Sequence, residues 1–218
     1  QLEDGPSEWF IRGKLASDQG RDAEAVGHYE RALALSAGEM AAAWLNQGVV
    51  YRRMGQTRNA LASYRSAALA REPYPEAWYN MALAFVELAQ LDSAVWAYRQ
   101  CITQDPDMVN AHYNLGVLYS EQGNADQAIA AWHSAVRTDP GMRKAWFNLG
   151  VNLRRAGRPE EAVAAYDSLL VRYPKDERAW FNRGIALKDL GDVEGALASY
   201  RAALEADPNY VSAWMNFG

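Results

Sequence analysis

Residues 109–142 read VNAHYNLGVLYSEQGNADQAIAAWHSAVRTDPGM, and their apolar residues fall twice at helical spacing with a break between. Tyr113, Gly116, Val117 and Tyr119 make the first stripe, Gly123-Asn124 the break, and Ala128, Ile129, Trp132 and Ala135 the second. Glycine ends the first helix because it enters the left-handed conformation cheaply. Asp139-Pro140 ends the second, since proline lacks an amide donor and turns the preceding residue away from helix. The segment is a helical hairpin.

The same hairpin recurs along the chain. Taking Val109 as slot 1, slot 8 is Gly13, Gly48, Ala82, Gly116, Gly150, Gly184 and Gly218, spaced by 34 residues except for one step of 35. Slot 20 is alanine in all six complete units, from Ala25 to Ala196. Slot 4 is Trp9, Trp44, Trp78, His112, Trp146, Trp180 and Trp214; slot 24 is Tyr29, Tyr64, Tyr98, Trp132, Tyr166 and Tyr200. Small residues at slots 8 and 20 are expected to let the paired helices approach closely. The large residues at slots 4, 11 and 24 are then expected to be buried between hairpins. No hairpin covers such a face alone, so stacking is obligatory. The linker Ser36–Met40 carries the extra residue and lacks a proline, and the next linker has Pro73 and Pro75 displaced from the usual position.

With Trp at slot 4, small residues at 8, 20 and 27, aromatics at 11 and 24 and proline at 32, the chain resembles the tetratricopeptide repeat (TPR) family. The resemblance implies an all-α, right-handed superhelical solenoid of tandem 34-residue helix-turn-helix hairpins. It implies a single array over residues 6–218, six complete repeats plus the first half of a seventh, after an N-terminal leader of residues 1–5. Trp214, Met215 and Phe217 in that half-repeat are apolar where a capping helix is polar, so a longer protein is expected, with self-association through the open C-terminal end as a further option.

Half the 218 residues are hydrophobic and 11% are aromatic, which excludes intrinsic disorder. A net charge of −5 lacks the basic surplus of a general nucleic-acid binder. No apolar run approaches the roughly 20 residues of a membrane span, and Gln1–Gly5 has neither the basic nor the apolar part of a signal peptide. One cysteine, Cys101, forbids an internal disulfide framework; the compartment is left open, with the cytoplasm favoured. Cys101 occupies a slot filled mostly by alanine elsewhere and reads as a small buried residue. The histidines His28, His112 and His133 fall in different slots of different units, no metal-ligand spacing occurs, and Glu160-Glu161 or Asp192 with Glu194 read as solvated helix starts. No catalytic residue, metal or cofactor is expected.

In the resembled family, slots 2, 5, 6, 9, 12 and 13 line a concave groove. Slot 6 is Asn46, Asn80, Asn114, Asn148, Asn182 and Asn216, an asparagine ladder similar to that in the repeat arms of O-linked N-acetylglucosamine transferases and, less extensively, in peroxisomal targeting-signal receptors. An Asn amide matches both groups of a peptide bond, so the ladder could grip a backbone; it could also bond within its own array. Slot 5 supplies Tyr79, Tyr113, Phe147 and Phe181 as candidate pockets for apolar side chains. Arg52 and Arg53 form one basic pair, Glu87 and Glu121 an acidic middle, and Lys144, Arg154, Arg155, Arg178 and Lys188 a basic region suited to carboxylates. Slot 5 is never Lys and slot 9 never Asn, which disfavours the co-chaperone carboxylate clamp. Trp96 stands at slot 22, where other units carry Gly or Ala, and is a candidate anchor for a second partner. The expected function is a non-enzymatic scaffold that binds an extended or short helical segment of a protein partner. The alternatives are a substrate-recruiting arm of a larger enzyme such as a glycosyltransferase, and a self-assembly module.

Overall fold

The computed structural model describes residues 4–217; residues 1–3 of the leader, and Gly218 at the last slot 8, lie outside the described residues. Among the described residues every regular element is an α-helix. They are α1 (Pro6–Asp18), α2 (Asp22–Leu35), α3 (Ala41–Arg53), α4 (Thr57–Ala70), α5 (Pro75–Glu87), α6 (Leu91–Gln104), α7 (Val109–Glu121), α8 (Ala125–Thr138), α9 (Arg143–Arg155), α10 (Pro159–Arg172), α11 (Glu177–Asp189), α12 (Val193–Ala206) and α13 (Val211–Phe217). Odd-numbered helices are the A helices of successive hairpins and even-numbered ones the B helices. The fold is an all-α helical-repeat solenoid.

The hairpin turns obey the sequence. Gly20, Gly55, Gly123, Gly157 and Gly191 take φ between 73° and 79°, and Ala89, the non-glycine at this slot, is held there too at φ 55°. The extra residue in the first linker is absorbed by two left-handed residues, Ala37 and Gly38. Gly38 N–H then bonds back to the Leu33 carbonyl at 2.8 Å, closing the end of α2.

The chain divides into two compact units, one up to Ala111 and one from His112. In the first, the hairpins α1–α2, α3–α4 and α5–α6 stack through α2 on α3 and α4 on α5. In the second, α8 packs on α9, α10 on α11 and α12 on α13, between the hairpins α9–α10 and α11–α12.

Within a hairpin the slot-24 ring lies directly on the slot-8 backbone. A Cβ placed on Gly48 would come 2.5 Å from Tyr64, one on Gly150 2.6 Å from Tyr166, and one on Gly116 2.6 Å from Trp132, closer than atoms can pack. These rings are fully buried, with Tyr29, Tyr64 and Tyr166 at 0% exposure and Trp132 at 1%. The slot-4 tryptophans behave otherwise, which corrects the expectation that they are buried. Trp44, Trp146 and Trp180 are half-buried and Trp214 is 55% exposed. The indole N–H of each donates to a carbonyl six residues back, Gly38, Pro140, Pro174 and Pro208, at 2.8 to 2.9 Å. Slot 4 ties the loop between hairpins to the next A helix; slot 24 fills the core.

A second coupling joins slots 7 and 23 across the hairpin. Gln47 accepts from the Ser63 hydroxyl at 2.9 Å with both side chains buried, and Arg183 donates to Ser199 at 2.7 Å and to Asp167 at 2.6 Å. Where slot 7 is apolar, as Met81, Leu115 and Leu149, slot 23 is Ala97, Ala131 and Ala165. In these two hairpins the polar residue enters the layer with its partner, because a buried unpaired oxygen is costly; in the first hairpin Arg12 and His28 turn instead to Asp4 and Glu24. In α13, Phe217 packs on Leu187, Ala196 and Tyr200, while Trp214 and Met215 stay exposed.

Two outcomes follow for urea-induced unfolding. Trp132→Ala is expected to cost about 3 to 5 kcal/mol and the half-buried Trp146→Ala distinctly less, about 2 kcal/mol. Equal losses would show that slot 4 shares the core role. Ser63→Ala strands the Gln47 carbonyl oxygen and is expected to cost about 1 to 3 kcal/mol. Adding Gln47→Leu, which copies Leu149 over Ala165, restores most of that loss in a double-mutant cycle.

Candidate functional site

The A-helix residues anticipated to face a ligand share one local geometry. Phe147 and Phe181 are half-buried, their inner edges against Tyr166 and Tyr200 at ring-centroid distances of 6.2 and 5.8 Å. Tyr79 sits likewise on Tyr98 at 5.8 Å. The buried slot-24 ring thus props up the slot-5 ring, whose outer part is left accessible.

Next to these rings, the slot-6 amides turn back on their own helix. Asn46, Asn80, Asn182 and Asn216 donate from Nδ2 to the carbonyl four residues earlier, at 2.8 to 2.9 Å. One amide N–H is thereby used locally, which fixes the side chain and leaves its carbonyl oxygen and second N–H as the groups able to meet a ligand. Asn148 differs: its Nδ2 donates to the Tyr113 hydroxyl at 3.4 Å, and its backbone carbonyl accepts from Asn152 Nδ2 at 3.0 Å. In the first hairpin the same slot is Ile11, 64% exposed and without an amide.

Ion pairing sorts the basic residues. Arg52 is paired with Glu87 at 2.7 Å, Arg53 with Asp22, and Arg154 with Asp189 at 2.9 Å. Each bridges two A helices or an A helix to the preceding B helix, so both arginines of the anticipated basic pair are neutralised, Arg52 by Glu87 of the acidic middle and Arg53 by Asp22. Lys144, Arg155, Arg178 and Lys188 have no carboxylate within ion-pairing distance among the described residues and are exposed.

Five of the anticipated residues converge in the second unit. Tyr113 from α7, Lys144, Phe147 and Asn148 from α9, and Arg178 from α11 line a cleft of about 530 Å³. Met142, Arg143 and Asp176 complete it and carry no repeat signature that marks them as a site. Asp176 is nearly fully buried; it accepts from the Ala179 N–H at 2.9 Å as the N-cap of α11 and from Arg143 at 2.6 Å. The Arg178 guanidinium lies over the Phe147 ring, 4.5 Å from its centroid. Phe181, Asn182, Arg154, Arg155 and Lys188 do not line this cleft.

In the first unit Trp96 is 49% exposed and packs edge-on against Trp78 at 5.0 Å, beside Leu61, Leu69 and Phe85 in an apolar cleft of about 690 Å³. The sequence singled out Trp96; its Trp78 neighbour emerges only from the packing of α5 on α6.

The groups able to do acid–base or metal chemistry are dispersed. Among the described residues no three His, Cys, Asp or Glu side chains come together to hold a metal ion. No described helix is long and apolar enough to cross a membrane. Burial pushes the phenols of Tyr29 and Tyr64 up to about 12, so they are neutral throughout the ordinary pH range. Cys101 is fully buried, its sulfur 3.2 Å from that of Met108, and burial raises its thiol to about 12.

A family model described as "Tetratricopeptide repeat" matches residues 10–67, 113–177 and 149–211, and one described as "TPR repeat" matches residues 83–123. No curated protein matches the sequence. Among solved structures the chain is similar to YrrB, described as a TPR protein with an unusual peptide-binding site, at a TM-score of 0.74 and 19% identity over 86% of this chain and 96% of that one. It is similar to MamA at 0.70 and 22% identity, over 78% and 92% of the two chains. A tetratricopeptide repeat protein from Parabacteroides merdae ATCC 43184 gives 0.68 and 19%, over 97% and 83%. At these identities the likeness is one of fold.

The thiol provides a clean check. At pH 8 native Cys101 is expected to resist iodoacetamide while the urea-unfolded chain is alkylated readily, because burial both removes access and suppresses the thiolate. Equal rates in the two states would show the site open.

Proposed function

This chain belongs to the tetratricopeptide repeat family, and on that premise we propose that it is a non-enzymatic interaction scaffold which holds an extended segment of a partner protein along its A-helix faces. The observation that carries the reading is the repeated pairing of a propped, half-exposed slot-5 ring with a fixed slot-6 amide. In α5 and α11 hairpin packing uses the inner edge of the ring, Tyr79 or Phe181, and one N–H of the amide, Asn80 or Asn182, and leaves the rest of both groups for a ligand. An amide already held by its own helix loses little rotamer freedom when a ligand arrives, and its free carbonyl and N–H match a peptide backbone. The rings supply apolar area for every second side chain of an extended strand, whose residues point alternately to opposite sides. The peptide-binding site ascribed to YrrB offers a precedent in the same fold.

In this reading the asparagine ladder grips the backbone and the rings read side chains. Asn46→Ala, Asn80→Ala and Asn182→Ala together are expected to leave the melting temperature unchanged or slightly raised, since alanine is the better helix former. The same triple variant is expected to bind an array of unrelated 12-residue peptides more than about tenfold more weakly, each lost backbone bond counting for about 0.5 to 1.5 kcal/mol. A folded triple variant with unchanged affinities would overturn the ladder's role. A large fall in melting temperature would make the amides structural.

A further inference from the structure

We infer that the cleft of α7, α9 and α11 is the acid-reading pocket of this surface, taking a Glu or Asp side chain of the bound segment with an apolar side chain beside it on Phe147 and Tyr113. The inference rests on the groove-binding reading and names what one part of the groove selects.

The cleft brings two unpaired cations of the second unit together. The chain as a whole carries −5, and several arginines of the second unit are neutralised: Arg143 in the cleft wall by Asp176, and elsewhere Arg154 by Asp189 and Arg183 by Asp167. Lys144 and Arg178 occupy slot 2 of successive A helices, line the cleft together and lack a carboxylate partner. Asp176, the acid in the cleft wall, is committed to Arg143 and to capping α11. What remains is a surplus of two positive charges over an aromatic floor. In the first unit slot 2 is Ser7, Ala42 and Glu76, so this surplus is no product of the repeat pattern.

The geometry fits a carboxylate. With its carbon 4.5 Å over the Phe147 ring centroid and no carboxylate partner, the Arg178 guanidinium has its N–H groups available for a planar acceptor, which a carboxylate engages with both oxygens. The Tyr113 hydroxyl accepts from Asn148, so its proton is directed elsewhere and can serve the same anion. A volume of about 530 Å³ lies in the range of roughly 300 to 1,000 Å³ typical of ligand sites and holds more than one side chain. Phe147 and Tyr113 offer an apolar neighbour its place, which explains why charge and ring surface lie side by side.

The test uses the whole chain and fluorescein-labelled peptides with Gly-Ser flanks and a two-residue centre, Glu, Gln or Lys followed by Leu, Phe or Ser, read by anisotropy. Glu-Leu and Glu-Phe centres are expected to bind about tenfold or more tighter than their Gln counterparts, with the preference shrinking as salt rises. Lys144→Gln with Arg178→Gln is expected to abolish the preference and leave the Gln peptides unaffected, with circular dichroism reporting an unchanged fold. Arg155→Gln with Lys188→Gln removes two exposed cations outside the cleft and is expected to keep it. Lys144→Glu with Arg178→Glu is expected to turn the preference toward Lys centres. Loss of the preference in the Arg155/Lys188 control would show general electrostatics and overturn the pocket. Neutral peptides that bind, weaken with the asparagine substitutions and ignore a Glu-for-Gln exchange would overturn the pocket and leave the groove reading intact. Absence of binding by every peptide would overturn both.

Discussion

The structure depends on one contact: an aromatic ring packed directly against backbone that has no side chain. Wherever slot 8 is glycine, the slot-24 ring occupies the space that a Cβ there would take, so the paired helices approach as closely as a ring allows. Burying a ring of this size removes about 150 to 250 Å² from water, which is the largest single gain a hairpin makes. The same ring then supports the slot-5 residue of its own hairpin, so the core and the accessible surface share a side chain.

That sharing holds the A-helix surface in place. Tyr79, Phe147 and Phe181 rest on buried rings, and Asn46, Asn80, Asn182 and Asn216 are tied to their own helices. The slot-4 tryptophans act at a different place. Half-buried and bonded to the carbonyl six residues earlier, Trp146 and Trp180 fix the loops that lead into α9 and α11, and with them the position of slot 2. In the second unit slot 2 is where Lys144 and Arg178 stand.

Electrostatics does the remaining sorting. A list of basic residues on the A helices makes Arg52, Arg53, Arg154, Lys144 and Arg178 look equivalent. Carboxylates one helix away, Glu87, Asp22 and Asp189, neutralise the first three. Such partly exposed pairs add little stability, roughly 0 to 1 kcal/mol, yet they decide which cations are left to meet an anion.

The repeat register, the hairpins, the left-handed turns and the small residues of the core were legible in the sequence, because a 34-residue period exposes each constraint several times over. Even the forced left-handed Ala89 was visible as the exception in a column of glycines. The candidate site was legible in part: Tyr113, Lys144, Phe147, Asn148 and Arg178 were named, whereas Met142, Arg143 and Asp176 were not, since nothing in their own slots marks them. Tertiary structure alone decided that slot 4 is half-buried, that slot 7 answers to slot 23, and that Lys144 and Arg178 stay unpaired while Arg154 does not. The physical reason is the same in each case. Helical periodicity states which side of a helix a residue occupies, but burial, pairing and charge depend on what the neighbouring helix places opposite it, at distances of a few ångströms that no spacing along the chain encodes.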